Sequence, residues 1–294
     1  MKLQGIFPAL TTPFDADGNL FKQKIQHNIR KLNEVALTGY TVCGSTGETP
    51  LMNVEERLQV LSWVKEASAE GKTLIAGLAS ESVREAVRVA NCAADMGYHY
   101  ALALGPYYYR SQMHRPETQL LYYRAVADES KLPVLLYNMP AVTGYDLPVD
   151  TIAELSQHSN IVGMKDSSGN LEKFKTTAEA VKPEFQLLSG SGVSFGAALE
   201  IGAIGAILAV ANAIPYACVT IWEAFRMRQH EACRDWQARI LPASQLVPPK
   251  YGIAGLKYAM DLNGYYGGPP RLPLIPPSAE AKSEIEKAFD GLRS

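Results

Sequence analysis

Eight short apolar runs, each of strand length and each followed by a stretch with helical periodicity, constrain this 294-residue chain more than any other feature. The runs are Gly5–Thr12, Tyr40–Cys43, Thr73–Leu78, Tyr100–Gly105, Pro133–Tyr137, Ile161–Lys165, Phe185–Ser189 and Gly205–Val210. Between them Phe21, Ile25, Ile29, Leu32 and Ala36 keep one face of a helix, as do Val54, Leu58, Leu61 and Val64. Asn53-x-x-Glu56 and Ser82-x-x-Glu85 read as capping boxes, and Gly71 and Gly97 stand where C-caps belong. Strands that are apolar on both faces and alternate with helices form a parallel sheet, because each parallel pair needs a crossover connection. Eight such units predict a (β/α)₈ barrel, an architecture that typically takes ~250 residues. A doubly wound open sheet is the competing arrangement. It carries a Gly-rich fingerprint in its first βα turn, and here that turn is Thr11-Thr12-Pro13-Phe14-Asp15. The nearest glycine cluster, Gly190-Ser191-Gly192-Val193-Ser194-Phe195-Gly196, misses the spacing by one and follows the seventh run.

After Val210 the pattern becomes helical only, roughly Pro215–Arg228, His230–Leu241, Gly252–Asn263 and Ala279–Leu292. The expectation is a single domain, 1–294, with a barrel core over 1–212 and C-terminal helices over 213–294 packed on it. A hydrophobic share of 47% and a charged share of 20% suit a soluble globular protein whose core needs no disulfide or metal. A net charge of -2 gives no electrostatic footprint for nucleic acid or an anionic membrane. The longest apolar run, Ile201 to Ala211, is too short to span a bilayer. Met1-Lys2 leads straight into Gly5-Ile6-Phe7-Pro8, which predicts no signal peptide. Cys43, Cys92, Cys218 and Cys233 form no CxxC pair, and the expectation is reduced, buried thiols in a cytoplasmic protein. His27, His99, His114, His158 and His230 have no metal-ligand spacing, so no metal site is expected.

In a (β/α)₈ barrel the chemistry gathers at the C-terminal ends of the strands. The sixth run ends there in Lys165, followed by the turn signal Asp166-Ser167-Ser168-Gly169. Alone, that lysine reads as the first solvated residue after a core strand. If buried, it is anomalous: desolvation lowers an amine's pKa, and a neutral amine condenses with carbonyls to give a Schiff base. The same rim carries Gly44-Ser45-Thr46-Gly47-Glu48, Tyr107-Tyr108-Tyr109, Tyr137-Asn138-Met139 and Ser189-Gly190-Ser191-Gly192. Glycines in the first of these let the backbone approach a ligand, and its N–H groups suit an anion. Together these are a nucleophile, a proton carrier and a carboxylate anchor, the parts needed for Schiff-base chemistry on a 2-oxo acid. Asp166 is expected to face away from Lys165, since neighbours on a strand point to opposite sides.

Taken in order, Gly44-Ser45-Thr46-Gly47-Glu48, Pro106-Tyr107-Tyr108, the run Tyr137 to Gly144 and the run Gly163 to Gly169 resemble the dihydrodipicolinate synthase / N-acetylneuraminate lyase family. The resemblance covers essentially the whole chain. It implies a class I pyruvate aldolase on a (β/α)₈ barrel, with no cofactor beyond an imine on Lys165. It implies that Tyr137 donates and accepts the proton, and that Ser45 links it to Tyr108, supplied across a dimer interface. It also implies that Thr46 holds the pyruvate carboxylate and that Ile207 lies beside the pyruvate, with Gly44, Thr143 and Gly190 in the binding shell. The partners it implies are pyruvate, a small aldehyde or 2-oxo acid, and further copies of the chain in a dimer or tetramer.

The run Pro140-Ala141-Val142-Thr143-Gly144 departs from the synthase pattern, in which an arginine at the place of Val142 clamps a substrate carboxylate. Leu147-Pro148-Val149-Asp150, the run Leu155 to Asp166 and Gly264-Tyr265-Tyr266-Gly267-Gly268-Pro269 are similar to the 4-hydroxy-2-oxoglutarate aldolase branch. The leading expectation is therefore cleavage of 4-hydroxy-2-oxoglutarate to pyruvate and glyoxylate. Dihydrodipicolinate synthase is the alternative, a sugar-acid aldolase such as N-acetylneuraminate lyase comes third, and a non-catalytic 2-oxo-acid-binding barrel is the rival from another class.

Overall fold

The computed structural model describes residues 3–292. Its eight strands are β1 (Gly5–Pro8), β2 (Gly39–Val42), β3 (Thr73–Gly77), β4 (Tyr100–Leu104), β5 (Val134–Asn138), β6 (Ile161–Asp166), β7 (Gln186–Ser189) and β8 (Gly205–Leu208). All pair in parallel, in the order β1-β8-β7-β6-β5-β4-β3-β2. A parallel bridge between Ala9 and Thr41 joins the two ends of that order and closes the (β/α)₈ barrel. Each expected strand is present. β1 and β8 are shorter than the apolar runs that hold them: Ala9 and Leu10 still bond to Leu208 and Thr41 beyond the end of β1, and Val210–Asn212 form a helical turn after β8.

The helices are α1 (Lys22–Asn33), α2 (Val54–Ala67), α3 (Val83–Asp95), the single turn α4 (Arg110–Met113), α5 (Pro116–Glu129), α6 (Pro140–Thr143), α7 (Val149–Ser156), α8 (Leu171–Ala180) and α9 (Phe195–Glu200). The extension adds α10 (Pro215–Arg226), α11 (His230–Gln245), α12 (Gly252–Leu262) and α13 (Ala279–Ala288). Asn53 and Glu56 form the full capping box of α2: Asn53 Oδ1 accepts from the Glu56 N–H at 2.8 Å, and Glu56 Oε2 accepts from the Asn53 N–H at 3.0 Å. At α3 only half of the predicted box exists. Ser82 Oγ caps the Glu85 N–H, but the Glu85 carboxylate turns to Arg57, where a charged partner outcompetes a backbone N–H. Gly97 follows the α3 cap in the left-handed conformation, whereas Gly71 sits in the turn beyond the end of α2 at Ser68. Ala36 falls outside α1 and is exposed.

Side chains alternate between two apolar layers. Leu3, Phe7, Ile75, Leu102, Leu135, Leu188 and Ile207 fill the barrel interior, while Val134, Leu136, Met164 and Leu187 face the helices. That alternation decides which residue of each strand reaches the rim from inside. α11 and α12 are separated by Leu246–Lys250, where Val247 is non-helical and Pro248 and Pro249 supply no N–H. This break carries the extension over the mouth of the barrel. All four cysteines are free. Burial pushes the thiols of Cys43 and Cys218 up to about 12; Cys92 is only partly buried. Among the described residues no helix is long and apolar enough to cross a membrane, and no three His, Cys, Asp or Glu side chains cluster as metal ligands would.

Candidate active site

Sheet register sets the centre of the site. Tyr137 on β5 and Lys165 on β6 are direct partners in the ladder, and Lys165 is in register with Leu188 on β7. Residues in register share a face, so the lysine and the tyrosine enter the barrel side by side above the inner apolar layer. Lys165 is 4% exposed and its Nζ lies 4.2 Å from the centroid of the Tyr137 ring. Among the described residues no ion pair includes it. A buried amine without a carboxylate is costly and is retained where chemistry uses it. Burial alone raises the pKa of the Tyr137 phenol. The Lys165 charge and the hydroxyls of Ser45 and Ser167 outweigh it and hold the phenol below its ordinary range. Asp166 faces the other way, accepting from the Ser168 N–H at 2.6 Å and approaching Asn138.

Ser45 and Thr46 come from a short helical turn that follows β2. The turn is bracketed by two residues in the left-handed conformation, Cys43 and Glu48, each at φ 57, while Gly44 is at φ -83. The left-handed positions of this turn thus fall on non-glycine residues, whose strain must be held by their surroundings. Glu48 shows how. Its fully buried carboxylate meets Lys257 of α12 at 2.5 Å and accepts from the Arg271 N–H at 2.8 Å. Arg271 in turn makes a two-pronged pair with Glu56. Burial pulls the Lys257 ammonium below the usual lysine range, with Glu48 opposing the shift. The extension therefore clamps the loop that presents Ser45 and Thr46. Lys257→Met, which strands Glu48 without its cation, is expected to lower stability by ~3–5 kcal/mol. Adding Glu48→Gln recovers part of that loss; urea-unfolding midpoints of the single and double variants measure both.

On the far side, Gly190 follows β7. A Cβ there would stand 1.9 Å from Ser167 Oγ and 2.9 Å from Lys165 Cε, so only glycine lets the chain pass behind the lysine. Ser167 itself was not foreseen. Strand alternation from Lys165 (in) through Asp166 (out) was the signal that could have found it, but Asp-Ser-Ser-Gly reads first as a turn. Ser45 Oγ and Ser167 Oγ are both buried with no partner other than the Tyr137 phenol.

These groups open into one cavity of about 490 Å³, lined by Lys165, Tyr137, Ser45, Thr46, Ser167 and Gly190 among others. Other expected site residues lie outside its wall. Thr143 is buried, its hydroxyl donating to the Tyr145 carbonyl at 2.8 Å, and Ile207 sits in the inner apolar layer. Gly44 accepts the Thr49 hydroxyl behind the loop. Tyr108 is 76% exposed, packed edge-on against Tyr109 and held by its N–H to Glu81.

A parallel (β/α)₈ barrel with a buried amine, a phenol and hydroxyls converging at its rim is the arrangement of a class I, lysine Schiff-base lyase. The comparisons narrow this to one family. The model of the dihydrodipicolinate synthetase family matches residues 2–291, and the chain belongs to that family. It is 33% identical over 285 residues to a 4-hydroxy-tetrahydrodipicolinate synthase of Methanothrix thermoacetophila, covering 96% of this chain and 94% of that one. It is 32% identical over 286 residues to the enzyme of the same name from Rhodopseudomonas palustris, covering 97% and 95%. Among solved structures, YagE, a prophage protein of the dihydrodipicolinic acid synthase family from E. coli K12 in complex with pyruvate, superposes with a TM-score of 0.92. It is 26% identical and is covered over 98% of its length, against 99% of this chain. Both relatives carry the synthase name, which favours the alternative activity over the leading expectation of 4-hydroxy-2-oxoglutarate cleavage.

Proposed function

We propose that this chain is a pyruvate-dependent aldolase of the cytoplasm, in which Lys165 forms the imine. The observation that carries the reading is the buried Lys165 amine, with no carboxylate partner among the described residues, in register with Tyr137 and hydrogen-bonded to it. Attack of the amine on C2 of pyruvate releases water and leaves an iminium, an electron sink into which C3 loses a proton to give an enamine. The enamine C3 attacks the carbonyl carbon of an aldehyde. Tyr137 moves the protons, with Ser45 and Ser167 supporting its ionised form. Thr46 and the free N–H groups at the start of its turn receive the pyruvate carboxylate, as the opening N–H groups of a helical turn have no partner within it. Tyr108, exposed on the rim, completes the relay of a second copy of the chain in a homo-oligomer. The names of the relatives make condensation with aspartate semialdehyde the reference reaction, ahead of 4-hydroxy-2-oxoglutarate cleavage.

Borohydride reduction in the presence of pyruvate, followed by peptide mass mapping, tests the reading. One adduct, on Lys165, is expected; an adduct elsewhere, or none, overturns it. Pyruvate consumption with aspartate semialdehyde, run beside coupled pyruvate release from 4-hydroxy-2-oxoglutarate, ranks the two named reactions.

A further inference from the structure

The acceptors of both named reactions, aspartate semialdehyde and glyoxylate, carry a carboxylate, which a cation beyond the pyruvate half of the cavity would hold best. Among the described residues the outer cavity has none; its donors are neutral, the Ser191 hydroxyl and the opening N–H groups of α12 at Gly252 and Ile253. Its three walls are Met139 before α6 and Val142 within it, Val193 from the loop after β7, and Val247 and Pro249 from the break between α11 and α12 with Ile253 from the start of α12. Among the described residues Lys165 is the one charged side chain that lines the cavity, and the proposed imine consumes it. Lys250 is paired with Glu284, and the exposed Arg110 side chain lies against Gly144, outside the wall. Ser244 offers one buried, unpartnered hydroxyl at the far wall, a neutral hydrogen bond and no charge. A carboxylate placed against these walls would trade its hydration for a few neutral donors and no cation, at a net cost.

We infer that the acceptor half of this site selects an uncharged, largely apolar aldehyde, aryl or branched alkyl, in place of a second carboxylate. The inference rests on the pyruvate-aldolase reading above and names its second substrate class. A cavity of about 490 Å³ lies within the range that encloses a small organic ligand, and it exceeds the needs of pyruvate alone. The chemistry balances without a further reactant. C3 of the enamine bonds to the aldehyde carbon, and the aldehyde oxygen takes up one proton, equal to the one C3 gave up. The water that hydrolyses the imine replaces the water released in forming it. The product is a 4-hydroxy-2-oxo acid with an apolar group on C4, and the same site cleaves it in reverse. Val142 is the specificity-determining position, since it is a wall residue with room beside it and is 42% exposed.

The test measures kcat/KM for benzaldehyde, isobutyraldehyde, glyoxylate and aspartate semialdehyde with pyruvate, on wild type and on Val142→Arg. Wild type is expected to favour the uncharged pair by about tenfold or more, the scale of one charged hydrogen bond gained or lost. Val142→Arg is expected to shift the ratio of glyoxylate to benzaldehyde by about tenfold or more toward the acid. A wild type that traps pyruvate on Lys165 yet favours glyoxylate or aspartate semialdehyde overturns this inference alone. An unchanged ratio in Val142→Arg overturns it too. A wild type that traps no pyruvate on Lys165 overturns the underlying reading with it.

Discussion

Lys165→Ala is expected to abolish turnover while leaving the barrel folded. Removing a covalent nucleophile costs on the order of 10⁵–10⁶ in rate, because the electron sink at C2 cannot form without the imine. Truncating a buried residue normally destabilises a core. Here the side chain is an amine with no carboxylate partner, so its removal also relieves a desolvation cost. The two contributions oppose, and a thermal midpoint close to wild type is the expected result. The checks are loss of the borohydride-trapped adduct and a circular dichroism melt on the same sample. A variant that retained the adduct on another lysine would move the nucleophile. A variant that failed to fold would show the amine to be held by interactions the fold depends on.

Tyr137→Phe is expected to retain the trapped pyruvate adduct yet lose two to four decades of kcat, about 3–5 kcal/mol of barrier, the usual span for a positioned proton carrier. The ring remains to pack against Leu135 and beside Lys165, so the loss falls on proton transfer and spares imine formation. The pH profile separates this from a packing effect. Lys165, Ser45 and Ser167 together hold the phenol below its ordinary range. Ser45→Ala or Ser167→Ala removes a group that stabilises the phenolate, so the phenol's pKa rises. The alkaline limb of the rate profile, if it reports Tyr137, then moves to higher pH in both variants and disappears in Tyr137→Phe. A limb that stayed in place in all three would assign it to another group.

Much of this site was legible in the residues because it lies at the ends of short, regular elements. Lys165 and Tyr137 each close an apolar run, and a barrel puts such ends on one rim. The capping box at Asn53 and Glu56 was legible for the same reason, since its partners are close along the chain. Where the reading fell short, a distant residue intervened. Glu85 left its box for Arg57, and the left-handed turn at Cys43 and Glu48 depends on Lys257, more than two hundred positions away. Thr143 belonged to the right segment, but its hydroxyl is taken by a neighbouring carbonyl behind the wall.

The eightfold alternation of strand and helix, the helical extension and the residues that end each strand could be read from local pattern alone. These follow from side-chain periodicity and turn chemistry, which act over a few residues. Contacts across space were needed to show that Lys165 is buried without a carboxylate partner, that Ser167 joins Ser45 beside Tyr137, and that residues 247–253 close a largely apolar wall opposite Val142. Burial, pairing and desolvation depend on what lies across space, and in this chain the walls of one cavity come from segments as far apart as β2 and α12.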